Sequence, residues 1–94
     1  MKFADRVAVV TGASRGIGRA IAEELAAGGA VVIVNYARDA DGAAATVEAI
    51  ENAEGYASVF QADVTDLSAA EDLIKYAVTE HGKLDILVNN AGIT

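Results

Sequence analysis

Ninety-four residues, 53% of them apolar, suffice for one small domain with its own core. Fourteen acidic residues against seven basic ones give a formal charge of −7, which argues against a nucleic-acid or anionic-membrane partner, since both call for clustered Lys and Arg. The absence of cysteine excludes disulfides and thiolate metal sites, one histidine leaves little for any metal centre, and no apolar run approaches the about 20 residues of a membrane span, so a soluble cytoplasmic protein is expected.

Arg6 to Val10 predicts a first strand, apolar on both faces as in the middle of a parallel sheet. The turn Thr11-Gly12-Ala13-Ser14-Arg15-Gly16-Ile17-Gly18 follows it directly. Ile17, Ala20, Ile21 and Leu25 then recur at helical spacing, and Gly28-Gly29 stops that helix. Ala30 to Val34 is a second continuous apolar run and predicts a buried strand. Asn35 to Asp41 reads as a polar connection with two candidate N-caps, Asp39 and Asp41. A second helix runs through Ala43, Val47 and Ile50 and closes near Gly55. Tyr56 to Gln61, less apolar, predicts a third strand at the sheet edge. After the loop Asp63-Val64-Thr65-Asp66, Ser68 and Glu71 have the spacing of a capping box. The third helix carries Ala70, Leu73, Ile74, Ala77 and Val78 on one face and ends at His81-Gly82. Leu84 to Val88 predicts a fourth strand, followed by Asn89-Asn90-Ala91-Gly92.

Strand and helix alternate without a linker or repeat, so the expectation is an α/β fold, βαβαβαβ, forming one domain over residues 1–94. Right-handed crossovers predict a parallel four-stranded sheet in the order 3-2-1-4, with the first two helices on one face and the third on the other. Strand order then reverses between strands 1 and 4, where open α/β sheets bind ligands. The glycine-spaced turn falls at that crevice. Gly12 can take a positive φ, Gly16 lets a pyrophosphate approach the backbone, and Gly18 lets the helix pack closely on its strand. The helix start adds unpaired N–H groups and a positive dipole end. A glycine-rich turn without a ligand is the competing reading; the strand before it and the helix after it favour a dinucleotide.

These residues resemble the classical short-chain dehydrogenases/reductases, over the whole chain but only the N-terminal part of that family's usual length. Residues Thr11 to Gly18 resemble its TGxxxGxG cofactor motif, Asp63-Val64 its adenine-binding pair, and Asn89 to Gly92 its NNAG motif. Within the family the sequence is most similar to 3-oxoacyl-carrier-protein reductases. The resemblance implies half of a doubly wound Rossmann fold. It implies that Gly12, Ser14, Gly16, Ile17 and Gly18 surround the phosphates and adjoining ribose, and that Asp63 bonds the adenine amino group beside the Val64 backbone. It further implies that Asn89, Ala91 and Gly92 border the cofactor, with Asn90 tying strands together. Taken alone, Asp63 reads equally as a loop or cap carboxylate, and Asn89 to Gly92 as an ordinary turn.

Charge predicts the cofactor. NAD sites commonly place an acid at the end of strand 2, whereas this chain has Asn35-Tyr36-Ala37-Arg38 there. Tyr36 and Arg38 join Arg15 as site candidates; the two arginines would attract a 2′-phosphate, which favours NADP(H) over NAD(H). Both arginines as solvated surface residues is the alternative.

The family's chemistry relies on a Ser and a Tyr-xxx-Lys pair. Here Tyr36, Tyr56 and Tyr76 are followed four residues on by Ala40, Phe60 and Glu80. No catalytic residue is therefore assigned, and the 94-residue chain is expected to be a non-catalytic dinucleotide-binding half-domain, engineered or reconstructed among its possible origins. Strand 4 would be an unpaired apolar edge, so a homodimer or higher oligomer through strand 4 and the open sheet face is expected, with no nucleic acid, membrane or metal as partner. The alternatives are a reductase fragment active only with a further segment, and a self-associating structural module without useful cofactor affinity.

Overall fold

Val7–Val10 forms the first strand, β1, and is buried on both faces, as an unbroken run of β-branched and small residues in the middle of a sheet should be. The computed structural model of the chain describes residues 1–91. Along them follow α1 (Gly16–Ala27), β2 (Val31–Tyr36), α2 (Ala40–Asn52), β3 (Tyr56–Gln61), α3 (Leu67–His81) and β4 (Ile86–Val88). All strand pairs are parallel, in the order β3-β2-β1-β4.

Side-chain alternation sorts the core into two layers. Ala8, Val10, Val32 and Val34 point to the face covered by Ala22, Leu25 and Ala26 of α1 and Ala43 and Ile50 of α2. Val7, Val9 and Ile33 point to the other face, where Leu73 and Ala77 of α3 cover them. The predicted strand order and division of helices between faces are therefore the ones observed.

Three boundaries differ from expectation, each through a polar side chain. The second strand runs on to Tyr36 instead of stopping at Val34, because Asn35 and Tyr36 pair with Phe60 and Gln61 of β3. Asn35 is buried in that position, and its amide is satisfied: Nδ2 donates to the carbonyls of Phe60 at 3.1 Å and Ala62 at 3.2 Å, and Oδ1 accepts from the Gly12 N–H at 3.4 Å. At α3 the expected Ser68–Glu71 capping box is absent. Asp66 is the N-cap and accepts from the Ser68 N–H at 2.9 Å, so a charged side chain two residues earlier satisfies the helix end. The fourth strand begins at Ile86, not Leu84. Before it, the Asp85 carboxylate accepts from the Val7 N–H at 2.9 Å, with Lys83 and Arg6 beside it at 3.4 and 3.7 Å. The Val7 N–H and then these cations hold the Asp85 carboxyl below its ordinary value against an opposing desolvation.

Candidate functional site

The carboxyl ends of β1 and β2 open into a cleft of about 460 Å³, lined along the glycine turn by Gly12, Ser14, Arg15, Gly16 and Ile17. Ala37, Arg38 and Asp39 line the side next to β2, and Asn90 and Ala91 the side next to β4. The site thus lies where strand order reverses, between β1 and β4.

Two glycines make the turn possible. Gly12 has φ +62°, and its neighbours Ala91 and Asn90 leave no ordinary room for a side chain. At Gly18 a Cβ would fall on the Gly12 carbonyl oxygen and 2.5 Å from Asn90 Nδ2, so α1 can start this close to β1 only without one. At Gly16, by contrast, a Cβ would meet nothing within 4 Å: the space in front of it is open cleft.

Thr11 ties the two sides of the cleft together. Its Oγ accepts from the backbone N–H of Asn90 at 2.9 Å and of Ala91 at 3.0 Å, and its own N–H donates to the Val88 carbonyl. Asn90 Nδ2 returns a bond to the Gly12 carbonyl at 3.1 Å, in keeping with a strand-tying role. Together these bonds turn the segment after β4 across the top of the glycine turn.

The electrostatics favour an anion. Asp39 and Asp66 cap α2 and α3 with side-chain bonds, but Arg15 at the start of α1 provides no such cap. The first N–H groups of α1 and its positive dipole end therefore face the cleft without a carboxylate partner. Arg15 and Arg38 add two guanidinium groups to the lining. Asp39 is the acid in the lining, and its Oδ1 is engaged by the Gly42 N–H at 2.9 Å.

Of the residues proposed from sequence, Gly12, Ser14, Arg15, Gly16, Ile17, Arg38 and Ala91 come together in this cleft, with Gly18 packed beneath it. Tyr36 does not line it; its half-buried ring packs against the α1–α2 core layer. Val64 and Asn89 line a smaller recess of about 180 Å³ on the α3 side, with Thr11 and Leu87. Asp63 accepts from Thr65 Oγ at 2.6 Å and from the Thr65 N–H at 3.0 Å, which lower its pKa ahead of a further contribution from the Arg38 charge. Gly92 lies outside the described residues. Sequence reasoning missed Ala37 and Asp39 as lining residues and the buried supports Thr11, Asn35 and Thr46. Thr11 was visible as the first residue of the motif and as the polar end of a wholly apolar strand, but neither signal gave it a supporting role.

The family model for short chain dehydrogenases matches residues 6–94. The chain is 49% identical over 94 residues to the short-chain dehydrogenase/reductase homolog YusS of Bacillus subtilis and covers 86% of that protein. To a 3-oxoacyl-acyl-carrier-protein reductase, FabG, of Staphylococcus aureus it is 53% identical over 88 residues, covering 93% of this chain and 35% of that enzyme. Among solved structures, a short chain dehydrogenase from Burkholderia cenocepacia in complex with NADP superposes with a TM-score of 0.93 at 45% identity, over 99% of this chain and 38% of that one. The chain thus spans about a third of the length of these two longer relatives. Parallel sheet, glycine turn, cleft and sequence likeness agree, and the chain belongs to the short-chain dehydrogenase family.

Proposed function

We propose that the 94-residue chain is a dinucleotide-binding unit that favours NADP(H) over NAD(H) and does not itself carry out hydride transfer. The observation that carries this reading is the junction, in one cleft, of an uncapped helix N-terminus with Arg15 and Arg38. The residues fit the cofactor: the open space before Gly16 admits a pyrophosphate, and the N–H groups of the turn and of α1 supply donors for it. In this reading Gly12, Ser14, Gly16 and Ile17 hold the phosphates, while Arg15 and Arg38 hold a 2′-phosphate. Asp63 and Val64 border the adenine, and Asn89, Ala91 and Gly92 border the ribose. Tyr36, whose half-buried ring packs on the α1–α2 layer and does not line the cleft, is given no ligand contact in this reading. The bound nicotinamide would supply hydride chemistry, and no residue of this chain is assigned to activating a substrate. The Burkholderia relative's complex with NADP supports the cofactor class. Arg38→Ala is expected to weaken NADPH binding about tenfold or more and to leave NADH within about twofold, read by cofactor fluorescence titration. Equal losses for both nucleotides would remove Arg38 from the 2′-phosphate site.

Self-association through β4 belongs to the same proposal. Leu87, on the α3 face of β4, is 54% exposed, and β4 is an outer strand of the described sheet. An apolar strand edge in water favours pairing with a second copy. Sedimentation at micromolar concentration is expected to give a dimer or larger species; a monodisperse monomer would contradict it. The same edge, with relatives about three times as long, also favours a second reading in which a further segment completes a 3-oxoacyl-carrier-protein-type reductase. Purified chain that oxidised NADPH with acetoacetyl-type substrates would overturn the non-catalytic reading.

A further inference from the structure

Thr46 lies in the middle of α2 and is fully buried, yet its hydroxyl looks out of its own helix toward the glycine turn. Its Oγ lies 2.9 Å from the Ala13 carbonyl oxygen, 3.0 Å from that of Gly42 and 3.4 Å from that of Ser14. A hydroxyl has one proton to give. The Gly42 carbonyl, four residues back, is already an acceptor in the α-helical ladder. Ala13 is fully buried, and a buried carbonyl without a donor is costly. The proton therefore belongs to Ala13.

That bond has a consequence on the other side of the peptide. Among the described residues no peptide bond is cis, and in a trans peptide C=O and N–H point in opposite directions. Holding the Ala13 carbonyl toward α2 turns the Ser14 N–H away from α2. The N–H groups of Gly12 and Ala13 are spent on the Asn35 side chain and carbonyl; among the described residues, those of Ser14 and Arg15 have no acceptor. Both residues line the cleft. Gly42 lets α2 come close enough for this contact, since a Cβ there would approach the Ser14 carbonyl oxygen to 2.7 Å.

We infer that Thr46 is a positioning residue for the cleft: by fixing the Ala13 carbonyl it presents the Ser14 amide to a nucleotide phosphate, a role that rests on the nucleotide-binding reading above. Thr46→Val keeps the shape and removes the proton, whereas Thr46→Ser keeps the proton. With each chain folded at the temperature used, T46V is expected to raise the Kd for NADPH about tenfold or more and T46S to stay within about threefold of the parent. Gly42→Ala would drive a Cβ into Asp39 Oδ2 as well as to 2.7 Å from the Ser14 carbonyl oxygen, so it is made in an Asp39→Ala background; a further loss of binding beyond that of D39A alone is expected and keeps the test open should T46V not fold. A hydroxyl with only a structural role would lower the melting temperature and leave the Kd of the folded chain unchanged; that result, with parent chain binding NADPH, overturns the inference alone. Parent chain that bound no NADPH would overturn the nucleotide reading and this role with it.

Discussion

Replacing Gly18 with alanine is expected to abolish nucleotide binding and to lower the stability of the chain by about 2 kcal/mol or more, the scale of a methyl forced into a packed site. The added Cβ would land on the Gly12 carbonyl oxygen and crowd Asn90 Nδ2. Neither can retreat cheaply. The Gly12 carbonyl belongs to the turn that leaves β1, and Asn90 Nδ2 is bonded to that same carbonyl at 3.1 Å. Either the start of α1 lifts away from the strand or the segment after β4 loses its tie, and both dismantle the cleft. In a domain of this size the stability loss corresponds to a fall of about 10 °C or more in melting temperature, readable by calorimetry. Gly16→Ala is the informative contrast. Its Cβ would meet no neighbour, so it carries only the strain of a non-glycine residue at φ +62°, about 1–2 kcal/mol, while placing a methyl in the open cleft. Loss of NADPH binding with a largely preserved fold is expected there. A Gly18→Ala chain as stable as the parent would show that the close approach of α1 to β1 is not required.

Asn35→Leu is expected to cost about 2 kcal/mol or more, because it orphans one buried and two part-buried backbone groups together at about 1 kcal/mol each, less where water can reach them. The leucine fills the volume but leaves the carbonyls of Phe60 and Ala62 without donors and the Gly12 N–H without its acceptor. Asn35→Asp is expected to be worse, since a carboxylate would face two carbonyl oxygens. Urea unfolding measures both, and nucleotide affinity should fall as well, because the Gly12 amide is the first link of the glycine turn. A neutral Asn35→Leu would mean that the β2–β3 end is not held by this side chain.

Asn35 also shows where the sequence stopped being readable. Polarity after five apolar residues signals a connection, which ends β2 at Val34 on the sequence alone; the side chain is instead buried in the sheet and satisfied by partners that lie 23 to 27 residues away. Long-range hydrogen bonds of this kind leave no local pattern. Thr46 was illegible for the same reason, since a threonine inside a helix has no periodic signature that points to a distant carbonyl. What is written locally was legible: the unbroken apolar runs of β1 and β2, the edge character of β3, the right-handed crossovers that give the order β3-β2-β1-β4, and the glycine spacing of the turn. Tyr36 was placed at the site by its position next to Arg38, but strand alternation turns its ring to the core layer instead. The Asp66 cap was obscured because two overlapping patterns, Asp66 and Ser68 with Glu71, compete for one helix start, and only geometry decides between them.

If the cleft at the end of β1 holds a 2′-phosphorylated dinucleotide, titrating the purified chain with NADPH and, in parallel, NADH, while following cofactor fluorescence, will separate the two nucleotides. Saturable binding is expected for NADPH, with an affinity about tenfold or more above that for NADH, the scale of a charge-assisted contact to one added phosphate. No saturation by either nucleotide up to millimolar concentration, or equal affinity for the two, would contradict it.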